Sequence, residues 1–144
     1  ALALAGAISN EHAIRAAETL GAHFAYLGTR FLATHEANVP EAYKRMIVEH
    51  AAADIVYTSA FSGVPGSYLR PSIVASGIDP ETLVEPVGKP ALKMFASEAN
   101  KPKAWKDIWS AGQGIGAVHE IAPVAEVVAN LRREYEVACR TKAS

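Results

Sequence analysis

A chain of 144 residues has room for one ordinary domain, and with 50% of its residues hydrophobic and 20% charged it can bury a core. Its 14 basic and 15 acidic residues nearly cancel, which leaves no electrostatic reason to expect nucleic acid or an anionic membrane as partner. A single cysteine, Cys139, excludes an internal disulfide and suits a reducing compartment, read here as the cytoplasm, and no pair among the histidines at 12, 23, 35, 50 and 119 has metal-ligand spacing with a Cys or carboxylate partner, so no metal site is expected.

Ala1–Ala5 reads as a short buried strand. The apolar opening has no basic flank or cleavage pattern of a signal peptide and is too short to cross a bilayer, so it reads as a chain cut inside a buried element. Gly6-Ala7-Ile8-Ser9-Asn10 follows as a turn, with Asn10 placed to cap a helix that runs to Leu20 and stops at Gly21. Ile14, Ala17 and Leu20 share one face of that helix, with Ala13 beside them. Phe24–Leu27 is a second apolar strand ending at Gly28-Thr29, so the opening is a β-turn-α-β unit with a parallel sheet.

Beyond residue 33 the pattern is mixed. Val39–His50 reads as a helix with Pro40 in its first turn, Ile55–Phe61 as a strand and residues 63–67 as a loop. Tyr68–Ser76 reads as a helix interrupted by Pro71, and Pro90–Ser97 as a short helix. Pro123–Cys139 has the strongest helical period, with an apolar stripe at Val124, Val127, Val128, Leu131, Tyr135 and Ala138.

Three stretches could carry chemistry. Gly6-Ala7-Ile8-Ser9 and Gly28-Thr29-Arg30 are glycine turns at strand ends, where backbone N–H groups can approach an anion; two ordinary βα turns are the bland alternative. Gly112-Gln113-Gly114-Ile115-Gly116 is no dinucleotide fingerprint, since no strand enters it and its spacing is wrong. It is either a tight loop or a mount for the Gln113 amide against a ligand edge. Trp105 and Trp109, four apart, read as a packing anchor rather than a stacking platform. Among the histidines, His35 is best placed to see a ligand, while His50 and His119 read as surface or capping residues. Ser59, Ser62 and Ser110 lack a His/Asp arrangement, and Cys139 on a helix reads as inert.

Gly6-Ala7-Ile8-Ser9, Leu27-Gly28-Thr29-Arg30-Phe31-Leu32, Ala60-Phe61-Ser62-Gly63, Ser110-Ala111-Gly112-Gln113-Gly114 and the closing Val124–Tyr135 helix occur in this order in nitronate monooxygenases, also called 2-nitropropane dioxygenases. The chain resembles that family over essentially its whole length. The resemblance implies an α/β fold, the C-terminal part of a TIM (β/α)8 barrel with a small α+β substrate domain and a returning C-terminal helix. The implied division is residues 1–33 as the last βαβ unit, 34–120 as the substrate domain and 121–144 as the helix.

The resemblance also implies FMN as cofactor, with its phosphate on Gly6, Ala7, Gly28 and Thr29 and with Gln113 near the flavin. It implies oxidation of alkyl nitronates with O2, with the catalytic residues on strands preceding this chain. FMN-dependent enoyl-thioester reduction and a non-catalytic phosphate- or FMN-binding module are the alternatives. A homo-oligomer or a separate N-terminal half would complete the barrel. Ala7 departs from the family, which usually has a second glycine there; a methyl is expected to require a negative φ.

Overall fold

The computed structural model describes residues 1–84 and 106–140. They form two compact units, residues 1–52 with the segment from 113 onward, and residues 53–112.

The first unit opens with strand β1 (Ala3–Ala5), helix α1 (Glu11–Thr19) and strand β2 (Phe24–Tyr26). Asn10 caps α1 as expected, its Oδ1 accepting from the Ala13 amide at 2.9 Å, and Gly21 takes φ +88° just past the helix end. The two strands pair in parallel, Ala3 beside Phe24, Leu4 beside Ala25 and Ala5 beside Tyr26. The expectation of a buried first strand is overturned. Ala3 and Ala5 are exposed, because α1 covers only the face that carries Leu4 and Ala25. The other face presents Phe24 and Tyr26, which are 62% and 68% exposed. Leu20 also leaves the expected apolar face of α1, since it is the C-cap residue and points to solvent. Ala17 carries the contact instead.

A four-residue helix, α2 (Thr29–Leu32), begins three residues after β2. Helix α3 (Glu41–Glu49) follows, with Pro40 as its N-cap and His50 closing it through Nδ1 and the Met46 carbonyl at 2.9 Å. The buried Lys44 ammonium donates to the His35 carbonyl at 3.1 Å and pairs with Glu41, which ties α3 to the loop before it. The chain closes this unit with a 3-10 segment, Gln113–Ala117, and helix α5 (Val124–Arg140). Pro123 lies just before α5, and the Glu36 carboxylate accepts from the Val124 amide through both oxygens, at 3.0 and 2.9 Å. Helix α5 packs on α1. Its stripe faces inward at Val127, with Val124, Leu131, Tyr135 and Ala138 half-buried, but Val128 is exposed and falls off the seam.

The second unit is built on an antiparallel pair, β3 (Ile55–Thr58) and β4 (Gly66–Leu69), extended by a bridge from Tyr68 to Ser110. Strand β4 corrects the expectation of a loop and an interrupted helix here. Pro71 does not break a helix; it stands in the first turn of α4 (Arg70–Ala75), where a missing N–H costs nothing. Phe61, Tyr68, Ile73 and Ile108 make the core, and the Phe61 and Tyr68 rings meet edge to face at 4.9 Å. Between the two tryptophans it is Ile108 that enters the core, while Trp109 is half-buried and is held by its backbone, accepting from the Leu69 amide at 2.8 Å. The short helix expected at Pro90–Ser97 and Trp105 lie outside the described residues.

Candidate functional site

Parallel pairing brings the ends of β1 and β2 to the same edge. From the pair Ala5–Tyr26, one further step along each chain gives Gly6 and Leu27, and a second gives Ala7 and Gly28. Adjacent strands lie about 4.8 Å apart, so these two turns start as neighbours. Each then departs sharply. Gly6 and Ala7 both take left-handed backbones, φ +96° and +55°, before the chain enters α1. Gly28 caps α2 with φ −112°. The expected negative φ at Ala7 is therefore overturned: the tight turn into α1 places an alanine in the region where its Cβ crowds the carbonyl.

The residues present suit a small anion on two counts. Among the described residues, the Ala7 and Gly28 amides make no hydrogen bond, and Gly28 is the N-cap of α2. Second, a Cβ built on Gly6 or Gly28 would meet nothing within 4 Å. For Gly28, whose φ suits any residue, neither packing nor conformation within this chain requires glycine. Open space beside bare amides is the form of a cradle for a phosphate. Thr29 is buried at the first position of α2.

Gln113 is exposed and opens the 3-10 segment, which packs on α2 and α3. The expected tight loop is thus a short helix. The segment also touches the first glycine turn. A Cβ placed on Gly114 would lie 2.5 Å from the Ser9 Oγ and 2.8 Å from the Ala7 carbonyl oxygen. Gly114 and Ser9 stand in two separate candidate stretches of the sequence, more than a hundred positions apart, and nothing in that spacing shows that they meet.

His35 is exposed, and its backbone is used for structure, the amide donating to the Ala122 carbonyl at 3.2 Å. A cleft of about 300 Å³ adjoins the first turn of α1 and includes Arg30, His119, Glu11, Glu120 and Glu134. Of the two glycine turns it takes in Ser9 and Arg30, but not Gly6, Ala7, Gly28 or Thr29. The Arg30 guanidinium is engaged by the Glu120 carbonyl at 3.3 Å and carboxylate at 3.7 Å, and the remaining acids repel a dianion. Among the described residues no group of three or more His, Cys, Asp or Glu is placed to hold a metal, and no helix is long and apolar enough to cross a membrane.

The family model for nitronate monooxygenase matches residues 2–134, which includes both glycine turns, the Gly114 contact and most of α5. The chain belongs to the nitronate monooxygenase family. A nitronate monooxygenase of Paraburkholderia phytofirmans is 36% identical over 135 residues, and a probable nitronate monooxygenase of Bacillus subtilis is 28% identical over 134. Each alignment takes in 90% of this chain, but the chain spans only 36% and 38% of the length of these relatives. Among solved structures, a nitroalkane oxidase from Streptomyces ansochromogenes is similar at 31% identity and TM-score 0.63, covering 95% of this chain and 40% of that one. FabK from Thermotoga maritima shares the fold at TM-score 0.67 and 24% identity, over 95% of this chain and 44% of that one.

Proposed function

We propose that this chain is the cofactor-phosphate end of an FMN-dependent oxidoreductase of the nitronate monooxygenase family, which in its complete form oxidises alkyl nitronates with O2. The observation that carries the reading is the meeting of two glycine turns at the ends of two paired parallel strands, the second opening a short helix. In (β/α)8 barrels a phosphate site is often built from the loops after the last two strands and the N-terminus of a short extra helix. Strands β1 and β2 take the place of those strands, and α2 that of the helix. The one-sided cover of the sheet favours the same reading, since a barrel strand turns one face to a helix and the other to the barrel interior.

On this reading residues 1–33 are the last βαβ unit of the barrel, 34–120 the small substrate domain and 121–144 the returning helix. The packing of α5 on α1 supports the last of these. The amides of Gly6, Ala7, Gly28 and Thr29 hold the phosphate dianion, and the Thr29 hydroxyl donates to it. Gln113 offers an amide to the flavin edge. When bound, the flavin supplies the electron exchange with O2 that no side chain can perform. This chain's part is to fix the position of the phosphate tail, and the groups that act on the nitronate belong to the rest of the barrel.

Flavin fluorescence titrations of this chain test the phosphate site. FMN should bind more tightly than riboflavin, which lacks the phosphate. Gly28→Ala should weaken FMN by about tenfold, because its methyl enters the space proposed for the phosphate, without lowering the urea midpoint. Equal affinity for the two flavins, or a Gly28→Ala chain that binds FMN as the parent does, removes the reading. In a complete family protein carrying this segment, O2 uptake with a nitronate supports the proposed activity. NADH oxidation with an enoyl thioester in its place supports the reductase.

A further inference from the structure

We infer that Gly114 is a positioning residue for the phosphate-binding turn, and that the Gln113–Ala117 segment acts as a buttress that sets where the Ala7 peptide sits. The inference rests on the phosphate reading given above and adds a residue to it. Gly114 has an ordinary backbone, outside the left-handed region, so conformation does not require a glycine there. Space does. The nearest atoms to a Cβ on Gly114 are the Ser9 Oγ at 2.5 Å, the Ala7 carbonyl oxygen at 2.8 Å and the Ala7 carbonyl carbon at 2.9 Å.

The Ser9 side chain is buried but borders the cleft beside α1, so a turn of its hydroxyl can relieve the first of these contacts. The other two atoms are main chain and cannot turn aside at all. Relief therefore requires the Ala7–Ile8 peptide to move. That peptide adjoins a residue already held at φ +55° after a glycine at +96°, so its displacement re-aims the amides of the turn. The segment also packs on α2, the short helix that follows the second glycine turn. One short segment thus touches both arms of the site. The positions of the two arms are matched through it, and not only through the strand pairing.

Gly116 is the internal control. It lies in the same segment, its φ is ordinary, and a Cβ on it would meet nothing within 4 Å. Gly114→Ala should cut the preference of this chain for FMN over riboflavin by about tenfold, whereas Gly116→Ala should leave it unchanged. A loss of packing alone would weaken both flavins together and leave their ratio intact.

Hydrogen–deuterium exchange on the unmodified chain covers the case in which Gly114→Ala does not fold. FMN should protect residues 6–9 and 113–117 together, and riboflavin neither. If the parent chain shows no preference for FMN, the phosphate reading fails and the buttress falls with it. If the parent prefers FMN and Gly114→Ala keeps that preference, or FMN protects residues 6–9 without 113–117, the buttress alone is overturned.

Discussion

Ala7 is the one non-glycine residue with a positive φ among the described residues, at +55°. A left-handed backbone costs an L-residue with a Cβ about 1–2 kcal/mol. Glycine removes that cost but gains freedom in the unfolded chain, which offsets it by roughly 0.4–1 kcal/mol. The first effect is the larger, so Ala7→Gly should raise stability by about 0.5–1 kcal/mol, read as a higher urea midpoint at unchanged slope. A lower midpoint would show that the methyl makes contacts worth more than the strain it causes. The same substitution restores the residue usual in the family at a turn that we propose holds a phosphate. Strain carried at that place and nowhere else among the described non-glycine residues accords with a position whose conformation is set by something other than stability.

At the scale of elements, the α1–α5 pair carries a polar clasp whose strength follows pH. The Tyr135 hydroxyl donates to the Glu18 carboxylate at 2.6 Å, and Arg15 pairs with the same carboxylate at 3.0 Å. The Tyr135 hydrogen bond, and after it that of Arg15, hold the Glu18 carboxyl below its ordinary 4.5. The bond to Glu18, with Cys139 second, pushes Tyr135 well above its ordinary 10.0. A depressed carboxylate contributes stability above its unfolded pKa and loses it as pH falls through the folded one. A raised phenol contributes below its unfolded pKa and loses it as pH rises through the folded one. The clasp is therefore strongest between about 4.5 and 10. Tyr135→Phe should lower the urea midpoint modestly at pH 7, and the gap from the parent should narrow as the pH falls below 4.5. A gap that does not narrow with acid would assign the effect to ring packing.

The helices of this pair were legible in the sequence because caps and period are local. Asn10, Gly21 and the Val124–Ala138 stripe needed no tertiary information. Leu20 and Val128 were misplaced because period alone cannot say where a seam ends. Strand β4 was missed because Pro71, two residues beyond it, reads equally as a break or as a start. The glycine turns were legible as candidates, but the role inferred for Gly114 depends on a contact with Ala7 and Ser9 across more than a hundred residues, which no window reveals.

On the scale of the whole molecule, the sheet formed by β1 and β2 decides how the chain behaves alone. Its uncovered face carries Ala3, Ala5, Phe24 and Tyr26, all exposed, and each strand has a neighbour on one side among the described residues. Aromatic side chains and open strand edges of this kind invite pairing with another chain. The relatives are more than twice as long, so in them there is chain enough to cover this face. Light scattering on the isolated chain should therefore show association that grows with concentration. Phe24→Lys with Tyr26→Lys should suppress it, because two ammonium groups on the uncovered face repel a second copy and keep its edge solvated. Both side chains point away from α1, so the substitutions leave the Leu4 and Ala25 contacts in place, and the urea midpoint should change by less than about 0.5 kcal/mol in stability. A chain that stays monomeric at high concentration without these lysines would mean that the face is not sticky, and the barrel interior would then be the wrong place to assign it.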